Sequence, residues 1–119
     1  MLAAIEQHQL LMQEAQKWVD HLKSYGEIVN GLKTKLYQWA AGKTNQDVLK
    51  EIEHYHNQFH IQLYNIHDMK HVIRRYILET SQHPDFAHRI PHHRLEEDYQ
   101  FLIKNIDTLK TDFINFISE

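Results

Sequence analysis

"WVDHLKSYGEIVNGLKTKLYQW", residues Trp18 to Trp39, decides how many helices this 119-residue chain has. Leu11, Trp18, Tyr25, Leu32 and Trp39 recur every seven residues, and Ala15, Leu22, Val29 and Leu36 repeat beside them at the same spacing. Ile5, Met12 and Val19 add a third line. A seven-residue repeat with a wide apolar face is the pattern of an α-helix packed in a bundle. Gly26 and Gly31 oppose it, because glycine loses much backbone freedom in a helix. Ser24 to Glu27 even reads as a capping box that would start a new helix. A break would shift the phase of the repeat, yet the aromatic positions stay in register across Gly26. The spacing therefore predicts one helix over about 2–41, with a four-helix arrangement as the alternative if the chain breaks near Gly26.

The next stretch, "AGKTNQD", ends that segment. Gly42 suits a helix C-terminus, and Thr44 with Asp47 reads as a capping box for a second helix over about 45–80. Val48, Ile52, Tyr55, Phe59, Leu63, Ile66, Ile73 and Ile77 give it a core stripe in steps of mostly three and four. Pro84 and Pro91 interrupt the pattern, and Pro91 fits the first position of a third helix over about 91–117. Glu96, Glu97 and Asp98 near its start would favour the helix dipole. Leu95, Tyr99, Leu102, Ile106, Leu109, Phe113 and Phe116 form its heptad. With 3 Gly, 2 Pro and no alternating strand pattern, the expectation is all-α. The short connections make it a single domain, 1–119, folded as an antiparallel up-down-up bundle with coiled-coil-like packing.

A net charge of −3 and a pI near 6.4 argue against a nucleic-acid partner. No cysteine is present, which removes disulfide and thiolate chemistry. No stretch approaches the roughly 20 apolar residues of a membrane span. The amphipathic, soon-charged start does not read as a signal peptide, so a cytoplasmic location without membrane contact is expected. The unusual feature is 11 histidines: protonating all of them would carry the charge from −3 to +8.

Four of those histidines, His56, His60, His67 and His71, stand on one line of the second helix as two HxxxH pairs. At 100° per residue they span an arc of about 60°. Imidazoles four apart on a helix can share a zinc, copper, nickel or iron ion. Two ligands are not a complete site. Antiparallel pairing through the Gly42 turn is expected to supply the rest from Glu14, Asp20 or His21 beside His67 and His71, and from Glu27 beside His56 or His60. Glu53 precedes His56 by three, the step used in di-iron bundles. The combination resembles hemerythrin-like bundles only in this general sense, and no residues carry over. A divalent transition metal is the one cofactor these residues suggest.

"HDMKH", His67 to His71, resembles the H-box of histidine phosphotransfer domains over five residues. That resemblance implies a phospho-accepting His67, with Lys70 neutralising the phosphoryl charge. It departs from the pattern at His71, where those families place glycine.

A third helix shorter than the first two should leave the first hairpin uncovered towards Gly42. Leu32, Leu36, Tyr37 and Trp39 lie there, and exposed apolar surface of that kind marks an interface. A homo-oligomer, favoured as a dimer, or another protein partner would cover it. No phosphate-binding glycine loop or Ser/His/Asp arrangement appears. The leading expectation is a non-enzymatic bundle acting through self-association or protein–protein contact. A metal-binding bundle and a phosphotransfer module are the alternatives.

Overall fold

The computed structural model describes the backbone of residues 2–82 and 89–119 and the side chains of 6–82 and 92–119. Three helices, α1 (Leu2–Ala40), α2 (Gln46–Gln82) and α3 (Arg89–Ser118), follow one another without a strand among the described residues. They form a rod of 66 × 20 × 17 Å.

The first helix runs through both glycines unbroken. Its apolar stripe, from Ala15 through Trp18, Leu22, Val29, Leu32 and Leu36, is buried on both sides of them. Each glycine costs about 1 kcal/mol of helix propensity. Burial of a single large apolar side chain stabilises by about 1.5–3 kcal/mol, so packing carries the helix across. No close approach demands either glycine: a Cβ at Gly26 would stand 3.9 Å from Ile66 Cγ2, and one at Gly31 would meet nothing within 4 Å.

Gly42 ends the helix at φ 82°, as its position suggested. The Lys43 amide donates to the Ala40 carbonyl at 3.1 Å, and the Lys43 ammonium lies 4.4 Å above the Trp39 ring. The cap of α2 is Asn45 rather than Thr44. Asn45 Oδ1 accepts from the amides of Asp47 (2.9 Å) and Val48 (3.2 Å), which satisfies two donors a helix start leaves unpaired. At the far end α3 begins at Arg89, two residues before Pro91. A proline in the first turn removes only an amide that has no helical acceptor. Glu96, Glu97 and Asp98 thus lie beyond the first turn, where the dipole argument no longer applies. Pro84 lies outside the described residues.

Cross-helix contacts fix directions and register. The Thr80 hydroxyl is 2.9 Å from Met12 Sδ, and the Tyr37 hydroxyl is 2.9 Å from His56 Nδ1, so α1 and α2 run antiparallel. His21 meets Tyr99 and Trp39 meets Phe116, so α1 and α3 run parallel. The up-down-up order follows. In this register α3 lies beside α1 from about Leu11 to its end, so the part of α1 left uncovered is its start and not the residues before the Gly42 turn. This overturns the expected uncovered surface: Leu32 and Leu36 are buried within the single chain. Trp39 is half-buried against Phe116 at 4.9 Å, and of the four only Tyr37 is exposed. The cause is an aromatic cluster at that end, where Phe116 stacks on Tyr55 at 5.2 Å and Phe113 packs edge-on to Phe59 at 5.0 Å. No described helix is long and apolar enough to cross a membrane.

Because no neighbour fills the space at Gly31, Gly31→Ala should raise unfolding stability by about 0.5–1 kcal/mol. Gly42→Ala, at a positive φ, should lower it. Urea denaturation of the two variants measures both signs.

Candidate metal centre

The register places α1 and α2 differently from the simple hairpin of the sequence reading. Met12 opposite Thr80 and Tyr37 opposite His56 set His71 at the level of His21 and His67 at that of Tyr25. Glu14 and His21 are turned to the other side of α1, towards α3, where they meet His92 and Tyr99. Asp20 is exposed and accepts from Gln16 Nε2 at 3.2 Å, while Glu27 and Glu53 are also exposed. The residue beside His60 is Lys33, whose charge, with some desolvation and the neighbouring His56, lowers the imidazole's pKa. The stripe therefore keeps its two pairs, with ring centroids 4.5 Å apart for His56 and His60 and 4.6 Å for His67 and His71. It gains no third ligand from Glu14, Asp20, His21, Glu27 or Glu53. His67 is exposed and Lys70 half-buried, and the His71 ring lies edge-on to His67 with centroids 4.6 Å apart.

Among the described residues, one set of three metal-ligating side chains converges: Glu14 of α1 with His92 and Glu96 of α3. One ligand atom from each lies within 4.8 Å of the others. His92 and Glu96 are four apart and so face the same way from α3. His92 continues the core stripe of Leu95 and Tyr99 backwards by three, which buries its side chain to 6% exposure, while that of Glu14 remains 45% exposed. The buried imidazole is satisfied at both nitrogens. Nδ1 is 2.9 Å from the Tyr76 hydroxyl and Nε2 is 3.2 Å from Glu14 Oε1. Trp18 covers its face, with ring centroids 4.8 Å apart, and stacks on Tyr99 at 5.5 Å on its other side.

The two carboxyls lie close enough to shift one another in opposite directions. Hydrogen bonding with Glu96, then with His92 together with its charge, lowers Glu14 against an opposing desolvation effect. The same interaction with Glu14, with burial and the Glu14 charge, raises Glu96. Burial and the Glu14 charge also raise the Tyr76 phenol, so it keeps its proton at neutral pH. Beside the cluster lies an open groove of about 380 Å³, lined by Glu14, Lys17, Trp18, Asp20, His21, Tyr99 and Gln100. His21 Nδ1 is 2.8 Å from the Tyr99 hydroxyl there.

Sequence reasoning placed Glu14 among the ligands but missed His92 and Glu96. The neighbouring pair His93 and Glu97 also forms, at 3.0 Å, but both side chains are solvent-exposed. The overlooked signal was phase: 92, 95, 99 and 102 are the apolar stripe, so His92 and not His93 faces the core. In comparisons with known proteins, no family model, no curated protein and no solved structure matches this chain.

The opposite shifts of the pair give opposite pH signatures. A lowered Glu14 contributes stability above its unfolded value of about 4.5 and loses it as pH falls through the folded value. A raised Glu96 contributes below about 4.5 and loses that contribution as pH rises through its folded value. In metal-free protein, Glu14→Gln should therefore cost most near neutral pH. Glu96→Gln should gain on the wild type as pH rises from about 4 to 7. Thermal melts with a chelator over that range check both signs.

Proposed function

We propose that this chain is a small non-enzymatic helical bundle that binds a divalent transition-metal ion through Glu14, His92 and Glu96. The observation that carries this reading is the convergence of three ligand atoms from two helices on one point. The second nitrogen of the histidine is already held by Tyr76. Metal-ligating histidines almost always spend their other ring nitrogen on such a partner, which fixes the tautomer and the ring orientation. A chance surface cluster has no reason to contain one.

One imidazole and two carboxylates suit zinc, with iron and manganese as competitors. Binding requires a change of tautomer. Without the ion, Nε2–H donates to Glu14 and the Tyr76 hydroxyl donates to Nδ1. With the ion, Nε2 offers its lone pair, and Nδ1–H donates to the Tyr76 oxygen. A phenol both donates and accepts, so Tyr76 serves either state. Binding favours the charged form of both carboxylates, and their mutual repulsion is offset by attraction to the cation. Three protein ligands leave a coordination position towards the groove beside Glu14.

Purification without a polyhistidine tag, followed by zinc titration with calorimetric and melting readouts, tests this. The chain should also carry His60→Asn and His67→Asn, so that surface imidazoles supply no signal. One equivalent should bind and raise the melting temperature, and Glu96→Gln or Tyr76→Phe should weaken affinity by about 10–100-fold. No zinc-dependent shift, or one unchanged in Glu96→Gln, rejects the reading.

A further inference from the structure

The core stripe is not the one seam on α2. A second set of positions, Leu49, Glu53, His56, His60, Leu63/Tyr64, His67, His71, Arg74 and Leu78, also advances in steps of three and four. Leu63 and Tyr64 straddle its midpoint, and the other eight fall within an arc of about 60°. This is the spacing of a coiled-coil seam; α1 flanks it at Tyr37 and Lys33, Leu63 packs on the core, and most of the other positions are exposed. Leu49, Tyr64 and Leu78 are 37%, 69% and 58% exposed. Glu53, His60, His67, His71 and Arg74 are exposed as well, and His56 is partly so.

The chemistry along this seam is a palindrome about the point between Leu63 and Tyr64. Leu49 and Leu78 are equally distant from it, as are Glu53 and Arg74, His56 and His71, and His60 and His67. A two-fold axis at that point pairs the seam with itself in antiparallel order. Leucine then meets leucine at both ends, glutamate meets arginine inside them, and each HxxxH pair meets the other. Parallel pairing would instead set Glu53 on Glu53 and Arg74 on Arg74, two like-charge contacts. The overlap from Leu49 to Leu78 is roughly 45 Å long at 1.5 Å per residue.

We propose that α2 is the interface of a two-fold antiparallel homodimer, held by two metal ions, each bound by four imidazoles. One site takes His56 and His60 from one copy and His67 and His71 from the other, and the symmetry repeats it. Each half-site is already formed, with ring centroids 4.5 and 4.6 Å apart, and each lacks the two ligands that the second copy brings. A neighbour prepares one of the four rings for coordination: Tyr37 holds Nδ1 of His56 at 2.9 Å, which leaves Nε2 for an ion. Four neutral imidazoles in tetrahedral array are a zinc-class site. This inference goes beyond the groove site and shares no residue with it.

Light scattering of the full chain at micromolar concentration during zinc titration is the test. One seam ion per chain should double the mass, and a chelator should restore the monomer. His60→Asn with His67→Asn should stay monomeric in zinc while keeping the groove equivalent and its melting shift, so the two sites fail separately. Glu53→Arg or Arg74→Glu alone should weaken the zinc dimer by about tenfold, since each replaces two attractive pairs by two repulsive ones. Both changes in one chain should restore it, because the antiparallel pairs are regenerated with their signs exchanged. Circular dichroism on these exposed-site variants confirms that they fold. A chain that remains monomeric with zinc, or a dimer that the paired charge exchange does not rescue, overturns the proposal.

Discussion

The register between α1 and α2 is the constraint on which the rest of the molecule depends. It originates in five residues. Ala40 ends one helix, Gly42 turns the chain through a positive φ, and Asn45 caps the next helix with two side-chain hydrogen bonds. Thr80 then reaches Met12 and Tyr37 reaches His56, so α2 starts beyond the end of α1 and its first turns overhang. That offset turns the imidazole stripe towards Lys33 and Tyr37 and leaves Glu14 and His21 for α3. A hairpin closed without the offset would have put acids opposite the stripe. The distance between the two arrangements is about a turn and a half of helix, which is enough to exchange every cross-helix pair.

The fold was legible because three apolar repeats of long helices overdetermine it. Tyr25, Leu32 and Trp39 hold the phase of α1 across Gly26, and no local glycine effect outweighs the burial on either side. The direction of each helix also follows from the two short connections. Register was less legible, since it depends on how far a turn travels before it reverses. The Asn45 cap shows why: Thr44 and Asn45 are both good capping residues, and only the folded turn selects between them. The overhang was misplaced for the same reason: Leu32 and Leu36 are buried, and α3 reaches that end of the bundle, where Phe116 stacks on Tyr55. For the candidate centre, Glu14 was singled out only as a partner for His67 and His71, in a register that the structure does not adopt. His92 was hidden by its neighbour His93, although the 92–95–99 phase separates a core histidine from a surface one.

A polar group inside a bundle needs a partner, and this bundle meets the need with hydroxyls. Tyr76 serves His92, Tyr99 serves His21, Tyr37 serves His56, and Tyr25 donates to Asp107 at 3.2 Å. Each phenol lays its ring on apolar surface and extends its oxygen to the boundary, where a histidine or acid stands. This arrangement lets the chain carry His92 inside the bundle with both ring nitrogens satisfied, whereas His8 Nδ1 is buried without such a partner. The phenol can give or take the proton, so each bond suits either neutral tautomer of its ring. In the proposed site, the Tyr76 bond would orient His92 as a ligand.

The two seams of α2 differ in what they require. The inner one is lined by Tyr55, Phe59, Ile66 and Ile73, which lose water contact on folding whatever else is present. Had the outer one been leucine throughout, it would have joined a second copy just as unconditionally, since an apolar seam associates wherever a complementary one exists. Histidine at its four central positions changes the rule. Imidazoles are hydrated and partly charged, so bringing eight of them together from two copies costs desolvation and, at lower pH, repulsion. Only an added cation offsets that cost. In the proposed dimer, an inner seam of apolar residues and an outer seam of histidines would give one helix an obligatory contact and a conditional one.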